Sequence, residues 1–228
     1  MGIAGVLLLA WLGADLPLTE LRQARDAQDR ATLQRAAAIL GAQAAKETGN
    51  AEAQYRAAFA ESTLAEVAQE MRDKAQARVA AETGMQAAER AIALQPQRAE
   101  YRRIHATLCG QAAAAVGGLG ALKYGRCALN EVEQAIKLDP KASMNYLSRG
   151  VGNFYLPAAL GGGVDVAIPD FEKAAALDPN SADAYLWLGV ALRKANRSAE
   201  ARKAFQHSVA LNPARVWARQ QLEKTPAQ

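Results

Sequence analysis

From Leu18 onward the apolar positions fall into runs compatible with helix, separated by short polar breaks, and none forms an alternating β-branched stretch bounded by turn residues. LTELRQARDAQ, RATLQRAAAILGAQAAKE and the long run over residues 50–94 predict three to four helices, with Gly49-Asn50 as the clearest break between them. Further on, the runs are punctuated by Pro96, Pro140, Pro179 and Pro213, each unable to donate the helical hydrogen bond. DPNSADAY and NPARVWA restart helices from polar cap residues, and RVWARQQLEKT reads as a terminal helix with Arg219, Gln220 and Glu223 on a polar outer face. The pattern predicts an all-α chain.

Composition sharpens this picture. Half of the residues are apolar, alanine dominates them, and only 6% are aromatic, so the helices are expected to approach closely around a thin core. The formal charge of +4 comes from Lys and Arg scattered among Asp and Glu, without a basic block interleaved with aromatics; a solvated surface is expected, and no nucleic-acid partner. Ahead of the first helix lies the apolar run Ile3 to Leu12, the length of a signal-peptide core and short of the ~20 residues that span a bilayer. Ala14 suits the position before a cleavage, Leu12 departs from the small-residue rule, and no cation precedes the core. Residues 1–14 are therefore expected to be a signal peptide or a short N-terminal anchor. The protein is then expected to be exported and periplasmic, with membrane contact only through this segment if it is uncleaved; a buried N-terminal helix is the alternative.

The proline-closed segments also end alike, as AIALQP at Pro96, AIKLDP at Pro140, AAALDP at Pro179 and SVALNP at Pro213, and the intervals between them shorten along the chain. In the last unit Tyr185, Leu188-Gly189 and Leu192 precede Ala201, Phe205 and Pro213. This arrangement resembles the tetratricopeptide repeat, whose period of about 34 residues is that of the last interval, and departs from it at Leu192, where the family has an aromatic. The preceding unit keeps Tyr146, Gly150, Ala167, Phe171 and Pro179, with Arg149 in place of leucine; two earlier ones keep mainly Ala128, Val132 and Pro140, then Gly84, Ala88 and Pro96. The resemblance implies a right-handed α-solenoid of antiparallel helix pairs. Residues 15–97 form a helical region of degenerate repeats, 98–141 a degenerate pair with an extended turn, 142–213 two tetratricopeptide-like repeats, and 214–228 a capping helix and tail. Gly189 and Ala201 are small where two helices cross at ~8–10 Å, and Phe205 is expected to fill the space between neighbouring units.

The two earlier intervals exceed that period, and the excess sits at one kind of corner, AAAAVGGLG before Pro140 and LPAALGGG before Pro179. A phosphate-binding loop needs glycine amides at a helix start followed by Lys and Ser or Thr, whereas Gly163 precedes Val164-Asp165, and Lys123 stands where a G-x-G-x-x-G motif beginning at Gly118 needs its last glycine. Longer helices or wider turns on one edge are predicted. Similar LP…LGGG insertions occur in exported bacterial tetratricopeptide proteins, including those accompanying solute transporters, and the likeness implies a periplasmic adaptor.

Cys109 and Cys127 stand equally far either side of Gly118, so an antiparallel pair places them at one height. Axes ~9 Å apart bring facing Cα atoms within disulfide range, ~4.4–6.8 Å. A disulfide, favoured by export, and two buried thiols are the alternatives. Adding His105 and Glu131, each one turn further from the corner, completes a four-ligand set for zinc; because structural zinc prefers cysteine and histidine to carboxylate, no metal is assigned. His207 has no ligand companion, and Asn196-Arg197-Ser198, a formal glycosylation sequon, falls in a tight repeat turn. No catalytic constellation or cofactor motif is present in the sequence.

These readings converge on a non-catalytic scaffold for a protein or peptide partner. The resemblance implies that first helices line the concave face, which puts Met144, Leu147, Val151, Phe154 and Tyr155 on the groove wall, continued by Leu186, Val190 and Arg193. The alternatives are that the insertion folds inward and buries these side chains as core, or that the two glycine corners close a pocket for a small ligand delivered to a transporter.

Overall fold

A computed structural model of the protein describes residues 16–118 and 120–226. The expected signal peptide or anchor lies outside them. Among the described residues no strand is present, and no helix is long and apolar enough to cross a membrane.

The elements in order are α1 (Leu18–Asp26), α2 (Arg30–Lys46), α3 (Ala51–Glu70), α4 (Lys74–Leu94), α5 (Ala99–Val116), α6 (Gly120–Leu138), α7 (Ser143–Tyr155), a short 3-10 turn (Ala158–Leu160), α8 (Val164–Leu177), α9 (Ala182–Lys194), α10 (Ser198–Leu211) and α11 (Val216–Glu223). Consecutive helices pair as antiparallel hairpins, and the first helices of successive pairs, α1, α3, α5, α7 and α9, also pack on one another. This is an all-α solenoid whose concave face is built from first helices.

Local chemistry sets each boundary. Asp29, Asn50, Asp73 and Ser181 accept hydrogen bonds from the first free amides of α2, α3, α4 and α9. The corner inside every pair needs left-handed backbone: Gln28, Arg72 and Asn196 supply it in the tight corners, and Gly117-Gly118 and Gly161 in the two wide ones. The sequon asparagine is therefore a turn residue.

The two wide corners arise differently. The excess between Pro96 and Pro140 is taken up mainly by long helices, 18 residues in α5 and 19 in α6. The interval between Pro140 and Pro179 keeps helices of 13 and 14 residues and adds the 3-10 turn with its glycines. The amides of Gly161, Gly162 and Gly163 donate to Ala158 O, Pro157 O and Asn153 O at 3.0, 3.2 and 2.8 Å. All three are consumed by the corner itself, which leaves no amide cradle for phosphate. A Cβ at Gly162 would stand 2.3 Å from the Leu156 carbonyl oxygen, so this corner admits only glycine. Asp165 adds charge to the first turn of α8 without capping it by a side-chain hydrogen bond.

Phe205 lies against Gly189 of its own pair: a Cβ on that glycine would meet the ring at 2.6 Å. Phe171 and Gly150 repeat the arrangement in the pair before, also at 2.6 Å. Cys109 of α5 and Cys127 of α6 are joined in a disulfide, with Cα atoms 5.9 Å apart.

The superhelix also returns on itself. Arg215, entering α11, reaches Glu66 and Glu70 of α3; Arg25 of α1 donates to Asp183 of α9 at 2.9 Å; Asn212 donates to Asp26 at 2.8 Å; and Gln220 donates to Gln28 at 3.3 Å. Arg219 and Glu223 of α11 face solvent, while Gln220 belongs to this seam.

Candidate functional site: the concave channel

Because the C-terminal end meets the N-terminal end, the concave side is a channel and not an open groove. Its waist lies between Phe59 and Ser62 of α3, Ile104 and Thr107 of α5, Leu147 and Val151 of α7, and Trp187 of α9, with a cavity of about 120 Å³. One mouth, about 360 Å³, opens at the N-terminal ends of α5, α7 and α9 beside Arg22, Arg103 and Met144. The other, about 220 Å³, opens at the C-terminal ends of α3 and α7 beside Tyr155, Trp187 and Trp217. Neighbouring spaces share lining residues: Phe59 and Met144 on one side of the waist, Glu66 and Trp187 on the other.

The wall mixes aromatic and polar surface. Trp187 stacks against Phe171 and meets Phe154, Tyr155 and Trp217 edge-on, with centroids 5.3–6.2 Å apart. Polar side chains on neighbouring first helices are tied together: Gln69 donates to Gln111 O at 3.0 Å, Gln111 donates to Ser62 O at 3.0 Å, and Thr107 and Ser148 hydroxyls lie 3.2 Å apart.

A buried ion cluster closes the ring. Arg215, whose side chain is 1% exposed, is held by Glu66 at 2.8 Å and by Glu70, whose side chain is 3% exposed. Burial pushes the Glu70 carboxyl up to about 7 despite the Arg215 guanidinium, while for Asp183 the pull of Arg25 and Arg215 outweighs burial and keeps the carboxyl below its usual range. The carboxylates of Asp26, Glu66, Glu70 and Asp183 outnumber the guanidinium groups of Arg25 and Arg215, leaving the seam acidic when all are ionised.

The residues expected on the groove wall divide. Met144, 41% exposed, and the more buried Leu147 and Val151 line the waist, and Tyr155, 46% exposed, lines a mouth. Phe154, Leu186 and Val190 are buried in the C-terminal core, with Leu186 at 0% exposure, and offer a partner no surface. Arg193 turns to Gln221 and Thr225 and covers the Phe205 ring. For Arg193 the cause is α11 and the residues after it, which supply those partners beside α9. Sequence reasoning missed Phe59, Ile104, Trp187 and Trp217. Trp187 was reachable, since it stands as far past Pro179 as Ser148 stands past Pro140; the α3 and α5 residues lie where no repeat consensus survives.

A separate apolar cavity of about 320 Å³ lies between the two glycine corners, lined by Gly117, Gly118, Leu122, Leu129, Leu156 and Leu160 among others.

Residues 18–156 match the family described as regulator of microtubule dynamics protein 1-3, and residues 161–215 match the tetratricopeptide repeat. The chain belongs to the regulator of microtubule dynamics protein 1-3 family. Its repeats are tetratricopeptide repeats, degenerate in the family-specific part and recognisable in the C-terminal part. The fold is similar to that of a thermophilic TPR protein of Thermus thermophilus, with a TM-score of 0.61 and 18% identity over 90% of this chain and 98% of that one. It is also similar to a chain of the Cut9–Hcn1 hetero-tetramer of APC/C, with a TM-score of 0.50 and 11% identity over 95% of this chain and 50% of that one. No curated protein sequence matches. Microtubule dynamics is what the family's name says of the proteins it was named for.

Proposed function

We propose that this member of the family is a non-catalytic scaffold that takes an extended peptide of a protein partner into the concave channel. The observation that carries this reading is the channel wall, where the accessible Met144, Val151 and Trp187 stand beside the hydroxyls of Thr107 and Ser148, between a space at each end of the concave face. Apolar pockets read alternate side chains of an extended segment, and neighbouring hydroxyls and amides satisfy its backbone. The corner cavity supplies almost no polar group to orient a ligand, so the transporter-associated reading is not carried forward.

Peptides selected from a displayed library are expected to bind with an affinity that Met144→Asp lowers at least tenfold while melting stays unchanged. Leu94→Asp, at an exposed position on α4 outside the channel, should leave binding as it was. Equal affinity of Met144→Asp and wild type would overturn the channel as the site.

The proposal extends to export, supported by the apolar run Ile3 to Leu12 and by the Cys109–Cys127 disulfide, a bond that oxidising compartments maintain. Cell fractionation followed by thiol labelling of the unreduced protein tests it; two reactive thiols on protein in the cytosolic fraction would refute it.

A further inference from the structure

The disulfide has neighbours that a purely structural bridge does not need. Among the described residues, Cys109, Cys127 and His105 bring their ligand atoms within 4.8 Å of one another. His105 is 7% exposed; its Nε2 stands 3.9 Å from Cys127 Sγ and 3.6 Å from Glu89 Oε1. Its Nδ1 is buried without a hydrogen-bond partner, 3.9 Å from Glu131 Oε1. Glu131 is itself held by Arg102 at 3.0 Å. Three helices converge here: Glu89 comes from α4, His105 and Cys109 from successive turns of one face of α5, and Cys127 with Glu131 from successive turns of α6.

We propose that this cluster is a redox-gated zinc site, closed by the disulfide when oxidised and holding one zinc ion through Cys109, Cys127, His105 and Glu89 when reduced. Tetrahedral zinc at about 2.3 Å from sulfur and about 2.0–2.1 Å from nitrogen puts its sulfur and nitrogen ligands about 3.6 Å apart and its two sulfurs about 3.8 Å apart. The His105–Cys127 separation already approaches the first value, so forming the site requires parting the two sulfurs and a small rotation of Glu89, whose side chain is largely exposed. Glu131 is the positioning residue: it faces the other ring nitrogen at 3.9 Å, and closing to hydrogen-bond distance when the metal binds would fix the tautomer that leaves Nε2 free to ligate. This assignment differs from the spacing argument, which put Glu131 in the ligand set.

The exchange balances with a dithiol reductant. The reductant's two thiols become its disulfide, their two electrons cleave the Cys109–Cys127 bond, and their two protons appear on the cysteine thiols. Binding of zinc then releases both protons, because the ligands are thiolates. Cys127 is partly exposed and is the sulfur a reductant can reach.

The test uses the full chain with cobalt(II), whose spectrum reports sulfur ligation directly. Protein reduced by dithiothreitol and freed of it under nitrogen should take up one equivalent of cobalt, with tetrahedral visible bands and a thiolate-to-cobalt charge transfer that one equivalent of zinc abolishes. The oxidised protein should show neither. His105→Ala should bind at least 100-fold more weakly with an unchanged helical circular dichroism spectrum, and Glu131→Gln about 10- to 100-fold more weakly with the charge transfer retained. Reduced wild type without the charge-transfer band would overturn the proposal, as would a His105→Ala protein with wild-type affinity. The reduction arm needs no substitution, so a variant that fails to fold does not remove the test.

Discussion

The two halves of this solenoid reach the same architecture by different packing. Helices α3 to α6 are 18–21 residues long and meet largely through alanine, which supplies more than half of the buried positions in the N-terminal core. Helices α7 to α10 are 13–14 residues long, and each hairpin is locked by one phenylalanine ring seated on a glycine, Phe171 on Gly150 and Phe205 on Gly189. A long alanine interface spreads many small dispersion contacts over about 27–32 Å of helix, and its close approach at Gly84, where a Cβ would meet Leu108 at 2.6 Å, carries no aromatic to identify it. A short interface must concentrate its burial in a large side chain that fits only where the opposite residue has no Cβ. The consensus is therefore visible where the helices are short and fades where they are long.

The largest effect is expected at the seam joining the halves. Arg215→Ala leaves Glu66 and Glu70 without their buried guanidinium and should cost ~3–5 kcal/mol, read as a lowered urea midpoint. A midpoint within error of wild type would mean that the halves are stable without their closure. Next comes Gly189→Leu, expected to destabilise by ~1–3 kcal/mol or more because the Phe205 ring cannot yield; an unchanged melting temperature would dissolve the lock described for the C-terminal half.

A smaller effect sharpens the N-terminal side. Burial pushes Glu61 of α3 up to about 7, so over roughly pH 4.5 to 7 the folded chain keeps a proton that the unfolded chain has lost. Its contribution to stability falls as pH rises through that window and levels off above it. Glu61→Gln should accordingly stabilise the protein by ~1–2 kcal/mol at pH 8 and by almost nothing at pH 4.5, in paired urea titrations. Destabilisation at pH 8 would show that the ionised carboxylate has a favourable partner.

The smallest change is Gly41→Ala, at an exposed position of α2 where an added Cβ meets no atom within 4 Å. It should gain ~0.5–1 kcal/mol from helix propensity alone, seen as a modest rise in melting temperature. A loss there would place an unrecognised contact on the outer face of the long-helix half.

How much was legible followed the physics of each feature. Helix type, the proline-closed ends, the antiparallel pairing and the Gly189 crossing are local or nearly so. Alanine content, cap residues and the recurring proline-closed endings encode them within one or two turns of chain. The facing of Cys109 and Cys127 was also readable, because two helices joined at a known corner leave one free parameter. What could not be read was the ring. Arg25 and Asp183 are 158 residues apart, and Arg215 and Glu70 are 145. Whether they meet depends on the small rotation from each pair to the next, accumulated over the whole array, and no local pattern records that sum. The closing segment also draws Arg193 against Gln221 and Thr225, and Leu186 and Val190 lie in the C-terminal core while Met144 and Tyr155 stay in the channel, although one register had assigned all of them to a single wall. The sequence by itself determined the repeating unit and its helix-on-helix packing; the tertiary structure alone decided which concave residues remain accessible, because accessibility is a property of the closed superhelix and not of any repeat within it.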